Sequence, residues 1–149
     1  MAEIPRGYRF AAVDRRRSLT LEQLAPLADA GQIQFVSLQK GEPAAQARRP
    51  PPGLRLIDWA DALRDFSDTA ALVANLDLVI TVDTSVAHLA GAMGKPVWIL
   101  SRFDGCWRWL EGRDDSPWYP TARLFRQRAP LYWDEVAERV ALELAALGR

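Results

Sequence analysis

The stretch from Leu78 to Leu100 constrains this chain more than any other. Leu78–Val82 (Leu-Val-Ile-Thr-Val) has the length of a strand and is apolar on both faces, as in a buried parallel strand. It runs straight into Asp83-Thr84-Ser85 and then a short helix expected over Val86–Met93, closed by Gly94-Lys95-Pro96. A second apolar strand is expected at Val97–Leu100. Strand, helix and strand in tight succession make a βαβ unit, with parallel strands and a right-handed crossover.

The rest of the chain repeats the alternation. From Thr20 onward Leu21, Leu24, Ala25, Leu27 and Ala28 fall on one helical face; Thr20 and Gln23 fit a capping box and Gly31 supplies the stop. Pro26 lies inside this helix and should kink or weaken it. Strands are expected at Ile33–Leu38 and Leu54–Ile57, separated by a Pro- and Ala-rich loop over Gly41–Gly53. Asp65-Phe66-Ser67-Asp68 offers N-caps for a helix from Thr69 to Asn75. Beyond Leu100, Phe103–Pro120 is Trp-rich and without period, Arg123–Phe125 reads as a short strand, and Asp134 caps a last helix bearing Val136, Val140 and Leu144. The expected fold is α/β, a single Rossmann-like domain over residues 1–149 with a parallel sheet and helices on both faces. Its start is abrupt. The first helix should follow a strand, yet Tyr8–Val13 is weak for a sheet centre, so the expectation is that the first strand is missing and belongs to a longer parent protein.

Composition narrows the function. The chain has 149 residues, 49% hydrophobic and 26% charged, with nineteen basic side chains balancing nineteen acidic ones. That neutrality argues against a general nucleic-acid or anionic-membrane binder. The single Cys106 and single His88 exclude a disulfide framework, a cysteine zinc site and a His-rich metal site. No run approaches the roughly 20 apolar residues of a membrane span, and Met1–Arg6 lacks the apolar core of a signal peptide. A cytoplasmic location is the default expectation. Charge is nonetheless patterned: residues 1–17 hold five Arg, residues 58–83 hold six Asp against Arg64 alone, and residues 102–128 hold six Arg.

The sharpest chemical feature is the joint at Asp83. A helix that starts at the carboxyl edge of a parallel sheet leaves first-turn N–H groups unpaired, here those of Thr84, Ser85 and Val86. With the helix dipole they form an anion pocket where open α/β sheets bind ligands. Equally, Thr84 or Ser85 could simply cap a structural helix. His88 lies one turn on and can reach the same pocket, or pack. Other phosphate signatures are absent: there is no Gly-x-Gly-x-x-Gly, no Gly-x-x-x-x-Gly-Lys-Ser/Thr and no Gly-x-Ser-x-Gly elbow. A phosphoacceptor receiver domain is disfavoured because Lys95-Pro96 precedes its strand and the acidic pair of a first strand is missing.

These residues resemble a known family. Asp83-Thr84-Ser85-Val86-Ala87-His88-Leu89-Ala90-Gly91-Ala92 is similar to the donor-binding segment of the heptosyltransferase family. Asp65–Leu72, Trp107–Leu110, Asp115–Pro120 and Arg123–Gln127 resemble a bacterial subgroup in which a glycosyltransferase-like region follows tetratricopeptide repeats. The resemblance implies the C-terminal, nucleotide-sugar-binding lobe of a two-lobed GT-B architecture, which works without a metal. It assigns the donor diphosphate to Thr84, Ser85 and Val86, with Asp83 fixing the loop and His88 lining the pocket as a donor or as packing. A basic residue before the first helix would face the phosphates, and Arg16 and Arg17 both fit. Gln39 and Lys40 resemble the ribose and base side, with Phe66 and Ser67 facing the base.

The implied substrate is a nucleoside-diphosphate sugar, with no separate cofactor and no nucleic acid or membrane span as partner. The N-terminal lobe, which in the family binds the acceptor and usually supplies the general base, is missing from this sequence. The isolated chain should therefore bind nucleotide weakly without turnover, and exposed interlobe surface would favour self-association. A non-catalytic nucleotide-binding or interaction module beside helical repeats is the alternative expectation, motivated by the degenerate start and by Ser101–Cys106, which is less apolar than the subgroup's pattern. Trp107, Trp109 and Trp118 are read as packing the tail on the lobe, or facing the missing lobe, rather than stacking a sugar. Cys106 is read as incidental.

Overall fold

Every residue of Val97–Ser101 is buried, and this strand is the spine of the protein. The computed structural model describes residues 14–147. Its strands are β1 (Phe35–Ser37), β2 (Leu56–Asp58), β3 (Val79–Val82), β4 (Val97–Ser101) and β5 (Ala122–Arg126), and its α-helices are α1 (Phe66–Ala74), α2 (Ser85–Ala92) and α3 (Asp134–Leu147). Residues 14–17 form a further helical turn. β4 pairs in parallel with β3 on one side and β5 on the other. Its side chains alternate between two cores. Trp98 and Leu100 join Leu27, Ala30, Val136, Val140 and Leu144 beneath α3 and the Glu22–Ala30 segment. Val97 and Ile99 join Val73, Ala87, Ala90 and Trp109 beneath α1 and α2. Helices therefore cover both faces of a parallel α/β arrangement, as the alternating sequence pattern requires.

Two expectations are corrected. The strands do not form one continuous sheet: β1 and β2 pair in parallel as a separate two-stranded unit. The strand expected to be buried on both faces, Leu78–Val82, is the edge of its sheet among the described residues, and of β3 only Val79 is fully buried. This follows from its pairing, which is with β4 alone among the described residues. Among the described residues no strand pairs with the far edge of β3 or of β1. Both units nonetheless feed the same two cores, Phe35 alongside Ile80 and Val82 on one face and Leu38 alongside Val79 on the other. The candidate strand Tyr8–Val13 lies outside the described residues.

Local chemistry explains the remaining differences. Glu22–Ala30 is a 3₁₀ helix rather than an α-helix. Pro26 lacks the N–H for an i→i−4 bond, and the tighter winding accommodates it. The capping box forms as expected, with the Thr20 N–H donating to Gln23 Oε1 at 2.9 Å and the Gln23 N–H to Thr20 Oγ1 at 3.4 Å. Gly31 ends the segment at φ 104°, a left-handed conformation suited to glycine. Inside the expected Gly41–Gly53 loop, Glu42–Arg48 winds into another 3₁₀ segment with a proline in its first turn. Helix α1 starts three residues earlier than expected because Asp65 is the cap: its carboxylate accepts from the N–H groups of Ser67 and Asp68.

Replacing Ile99 by alanine leaves a cavity in a strand with no solvent access. The expected loss is about 2–5 kcal/mol of unfolding free energy, measured by urea denaturation. A smaller, pH-dependent contribution comes from Arg123, whose guanidinium bonds Glu143 at 2.8 Å and ties β5 to α3. This hydrogen bond and charge hold the Glu143 carboxyl below the ordinary glutamate range. Because the folded pKa is the lower one, the pair's stabilisation is present above the unfolded value and is lost as pH falls through the folded value. The urea midpoint of Glu143→Gln should therefore fall less than that of the parent between about pH 5 and pH 3.

Candidate functional site

Helix α2 is built to lie close on the sheet. Ala87, Ala90 and Gly91 are all buried, so small side chains let its axis approach β3 and β4. Its N-terminus then falls at the end of β3, where Asp83 and Thr84 turn the chain. Thr84 occupies the N-cap position with extended backbone (φ −134°, ψ 175°), but its side chain makes no capping bond. Its hydroxyl instead meets that of Thr81 at 3.2 Å. The contrast with α1 is informative. There Asp65 consumes two first-turn N–H groups; at α2 the Ala87 N–H bonds the Thr84 carbonyl at 3.1 Å, no Thr84 side-chain bond caps the turn, and Ser85 is exposed. The expectation that Thr84 or Ser85 might merely cap the helix is thus not met by Thr84.

Arg17 joins this end. Its Nη1 donates to the Asp83 carbonyl at 2.8 Å, while Nε and Nη2 grip Asp14 Oδ1 at 3.0 and 2.9 Å. Asp14 thereby aims the guanidinium at the turn between β3 and α2. Arg16 goes elsewhere: its Nη1 bonds Asp104 at 2.8 Å, and Asp104 is shared with Arg102. The two arginines that spacing left equivalent are distinguished by their partners. Arg16 borders a cavity of about 160 Å³ floored by Phe103, Pro130 and Leu131.

His88 is held rather than free. Its Nδ1 lies 3.0 Å from the Tyr119 hydroxyl. Its ring stacks on Trp109, with centroids 5.2 Å apart and planes 15° from parallel. Trp109 is fully buried, whereas Trp107 and Trp118 are largely exposed. These three tryptophans thus divide, and of them only Trp109 is fully buried, in the core beneath α1 and α2. Neither Trp109 nor Tyr119 was legible as a site neighbour; the available signal was Gly91, since a Cβ there would sit 2.5 Å from the Tyr119 ring.

The residues expected on the nucleoside side stay apart from this cluster. Gln39 and Lys40 follow β1 and are exposed. The Gln39 amide folds back onto the Lys40 carbonyl at 2.9 Å. Phe66 projects an exposed ring at the start of α1, and the Ser67 N–H is spent on the Asp65 cap. No hydrogen bond or ion pair joins these four to Arg17, Asp83 or Thr84 among the described residues. Chemically, the end of β3 combines N–H donors with an oriented guanidinium, an arrangement suited to an anion with several oxygens. Among the described residues no group of three or more His, Cys, Asp or Glu is placed to hold a metal, and no helix is long and apolar enough to cross a membrane. Cys106 is a free, half-buried thiol that accepts from Arg108.

The family model of glycosyltransferase family 9 (heptosyltransferase) matches residues 22–100. That range contains α2 and the turn before it, but neither Arg17 nor the Trp109–Tyr119 tail. Protein FlbA of Caulobacter vibrioides is 33% identical over 117 residues, which are 75% of this chain and 19% of that protein. The chain thus spans about a fifth of the length of this curated relative. No solved structure matches it.

Gly91→Ala should displace Tyr119 and release His88. The expected cost is about 1–3 kcal/mol from overpacking, read as a lowered melting temperature together with a shifted imidazole resonance of the only histidine.

Proposed function

This chain belongs to glycosyltransferase family 9, the heptosyltransferase family, and we propose that it forms the donor-binding part of a glycosyltransferase that uses a nucleoside-diphosphate sugar. The observation that carries this reading is the uncapped first turn of α2 with Arg17 anchored on the preceding carbonyl. In glycosyl transfer the bond from the anomeric carbon to the diphosphate breaks as a bond to the acceptor oxygen forms. Negative charge grows on the leaving diphosphate, and the acceptor proton passes to a base. Donors already in place where that charge develops stabilise the transition state without reorganising. In this reading the N–H groups of Ser85 and Val86 and the Arg17 guanidinium do that work, in place of a divalent cation. Asp83 holds the turn, and Asp14 keeps Arg17 from swinging away.

Arg16 has a different part. It bonds Asp104, whereas Arg17 bonds the Asp83 carbonyl at the turn into α2, so in this reading Arg17 is the phosphate contact of the pair. The exposed Phe66 ring supports base stacking on the nucleoside side, with Ser67 beside it at the start of α1 and Gln39 and Lys40 following β1. The acceptor site and the base would be supplied by the rest of a longer protein, whose length in the matched relative far exceeds this chain.

Calorimetric titration with UDP, ADP and GDP, each against its monophosphate, tests the reading. One diphosphate should bind with a clear preference over its monophosphate. Arg17→Ala should weaken that binding about tenfold to a hundredfold, the worth of a charge-assisted hydrogen bond. Arg16→Ala should change it less than threefold. Ser85→Pro probes the helix end: proline is tolerated at the first helical position, the extended backbone of Thr84 suits the residue before it, and one donor is removed. That variant should fold and lose diphosphate preference. A folded parent chain that binds none of the three diphosphates would favour the non-catalytic interaction module instead.

A further inference from the structure

We propose that Tyr119 is a positioning residue for His88: its hydroxyl, bonded to Nδ1, holds the imidazole as the Nε2–H tautomer and turns that N–H toward the first turn of α2, where it donates to the bound diphosphate. The proposal rests on the donor-site reading above and adds a residue to it from outside the family match.

The geometry has three parts. Side chains on a helix lean toward its N-terminus, so the ring at position 88 reaches back over the turn that carries Thr84 and Ser85. Tyr119 approaches from the opposite direction. Its ring lies against Gly91, one turn further along α2, where an added Cβ would be 2.5 Å from Cγ. In the proposed arrangement the nitrogen bonded to Tyr119 is the one nearer the helix C-terminus, and Nε2 faces the first turn. Trp109 fixes the plane of the ring: it stacks on His88 at 15° and is itself fully buried.

The tautomer follows from partner accounting. A neutral imidazole has one donor and one acceptor nitrogen. If the phenol donates to Nδ1, the ring proton sits on Nε2 and can be given to an anion at the helix end. The opposite tautomer would aim a lone pair at that anion. Only the Nε2–H form satisfies both nitrogens when a diphosphate is bound. Gly91, His88, Trp109 and Tyr119 thus act as one device, and the aperiodic Trp-rich tail reaches the site through it.

The chain has a single histidine, so its ring resonances in a ¹⁵N-labelled sample need no assignment. The wild-type protein at neutral pH should show the pattern of a single Nε2–H tautomer. Tyr119→Phe keeps the ring against Gly91 and removes only the hydroxyl. It should give a mixture of tautomers while the Trp109 indole and the Val97–Ser101 amides stay in place. Inorganic pyrophosphate serves as the probe ligand. In the wild type it should move the Ser85 and Val86 amides and His88 Nε2 together. In Tyr119→Phe the amides should still move, with affinity weakened about threefold to tenfold. An Nδ1–H tautomer in the wild type overturns the proposal without any variant. So does a pyrophosphate response at Ser85 and Val86 that leaves His88 unmoved, and in that case the donor-site reading stands. No response at Ser85 or Val86 overturns both.

Discussion

The close seating of α2 on β3 and β4 is the contact on which the rest of the site depends. Ala87 and Ala90 are fully buried and Gly91 has no side chain to hold the helix away. A helix packed this tightly cannot slide along the sheet, so its N-terminus is fixed at the end of β3. The unpaired first-turn donors therefore occupy a defined place rather than a fluctuating one. Gly91 also leaves room for the Tyr119 ring, which packs against the same core cluster as Ala87 and Ala90.

Electrostatics at that edge is local, because the chain has no net charge to spend on long-range attraction. Arginines are oriented one at a time by acidic neighbours. Asp14 holds Arg17 across the turn, and Asp104 gathers Arg16 and Arg102 a short distance away. Exposed ion pairs of this kind contribute little to stability. Their value lies in direction: a guanidinium already gripped on one side loses less conformational freedom when an anion arrives on the other. The same reasoning sets the pairs that tie the periphery together, Arg113 with Asp115 and Arg123 with Glu143, apart from the site. Their bonds run to Asp115 and Glu143 and not to the turn at Asp83.

The split between the two-stranded and three-stranded sheets bears on the whole protein. β3 contributes to both cores, and β1 with Leu38 just beyond it does likewise, yet neither edge has a partner among the described residues. A strand as apolar as Val79–Val82 at a sheet edge is unusual, since such edges invite further pairing. Ile80, Thr81 and Val82 are correspondingly half-buried.

Much of this was written in the sequence. The run of strand, Asp-Thr-Ser and small-residue helix specified a βαβ unit, because no other arrangement buries an apolar strand of that length beside a helix of alanines. The Thr20–Gln23 box, the Gly31 stop and the strand at Val97 likewise followed from residue chemistry over a few positions. Local patterns could not decide matters that hang on partners distant in the chain. Pro26 announced a defect but not its resolution into 3₁₀ winding. The burial of β3 depended on a neighbour that periodicity cannot count. Arg16 and Arg17 are adjacent and chemically identical, and only Asp14, Asp83 and Asp104, brought together by the fold, tell them apart. His88 could be placed beside the helix end by spacing, but its stacking on Trp109 and its bond to Tyr119 close contacts across 21 and 31 residues of aperiodic chain. Side-chain identity determines what each residue is able to do, while the folded packing decides which neighbour it meets, and that second choice belongs to the tertiary structure alone.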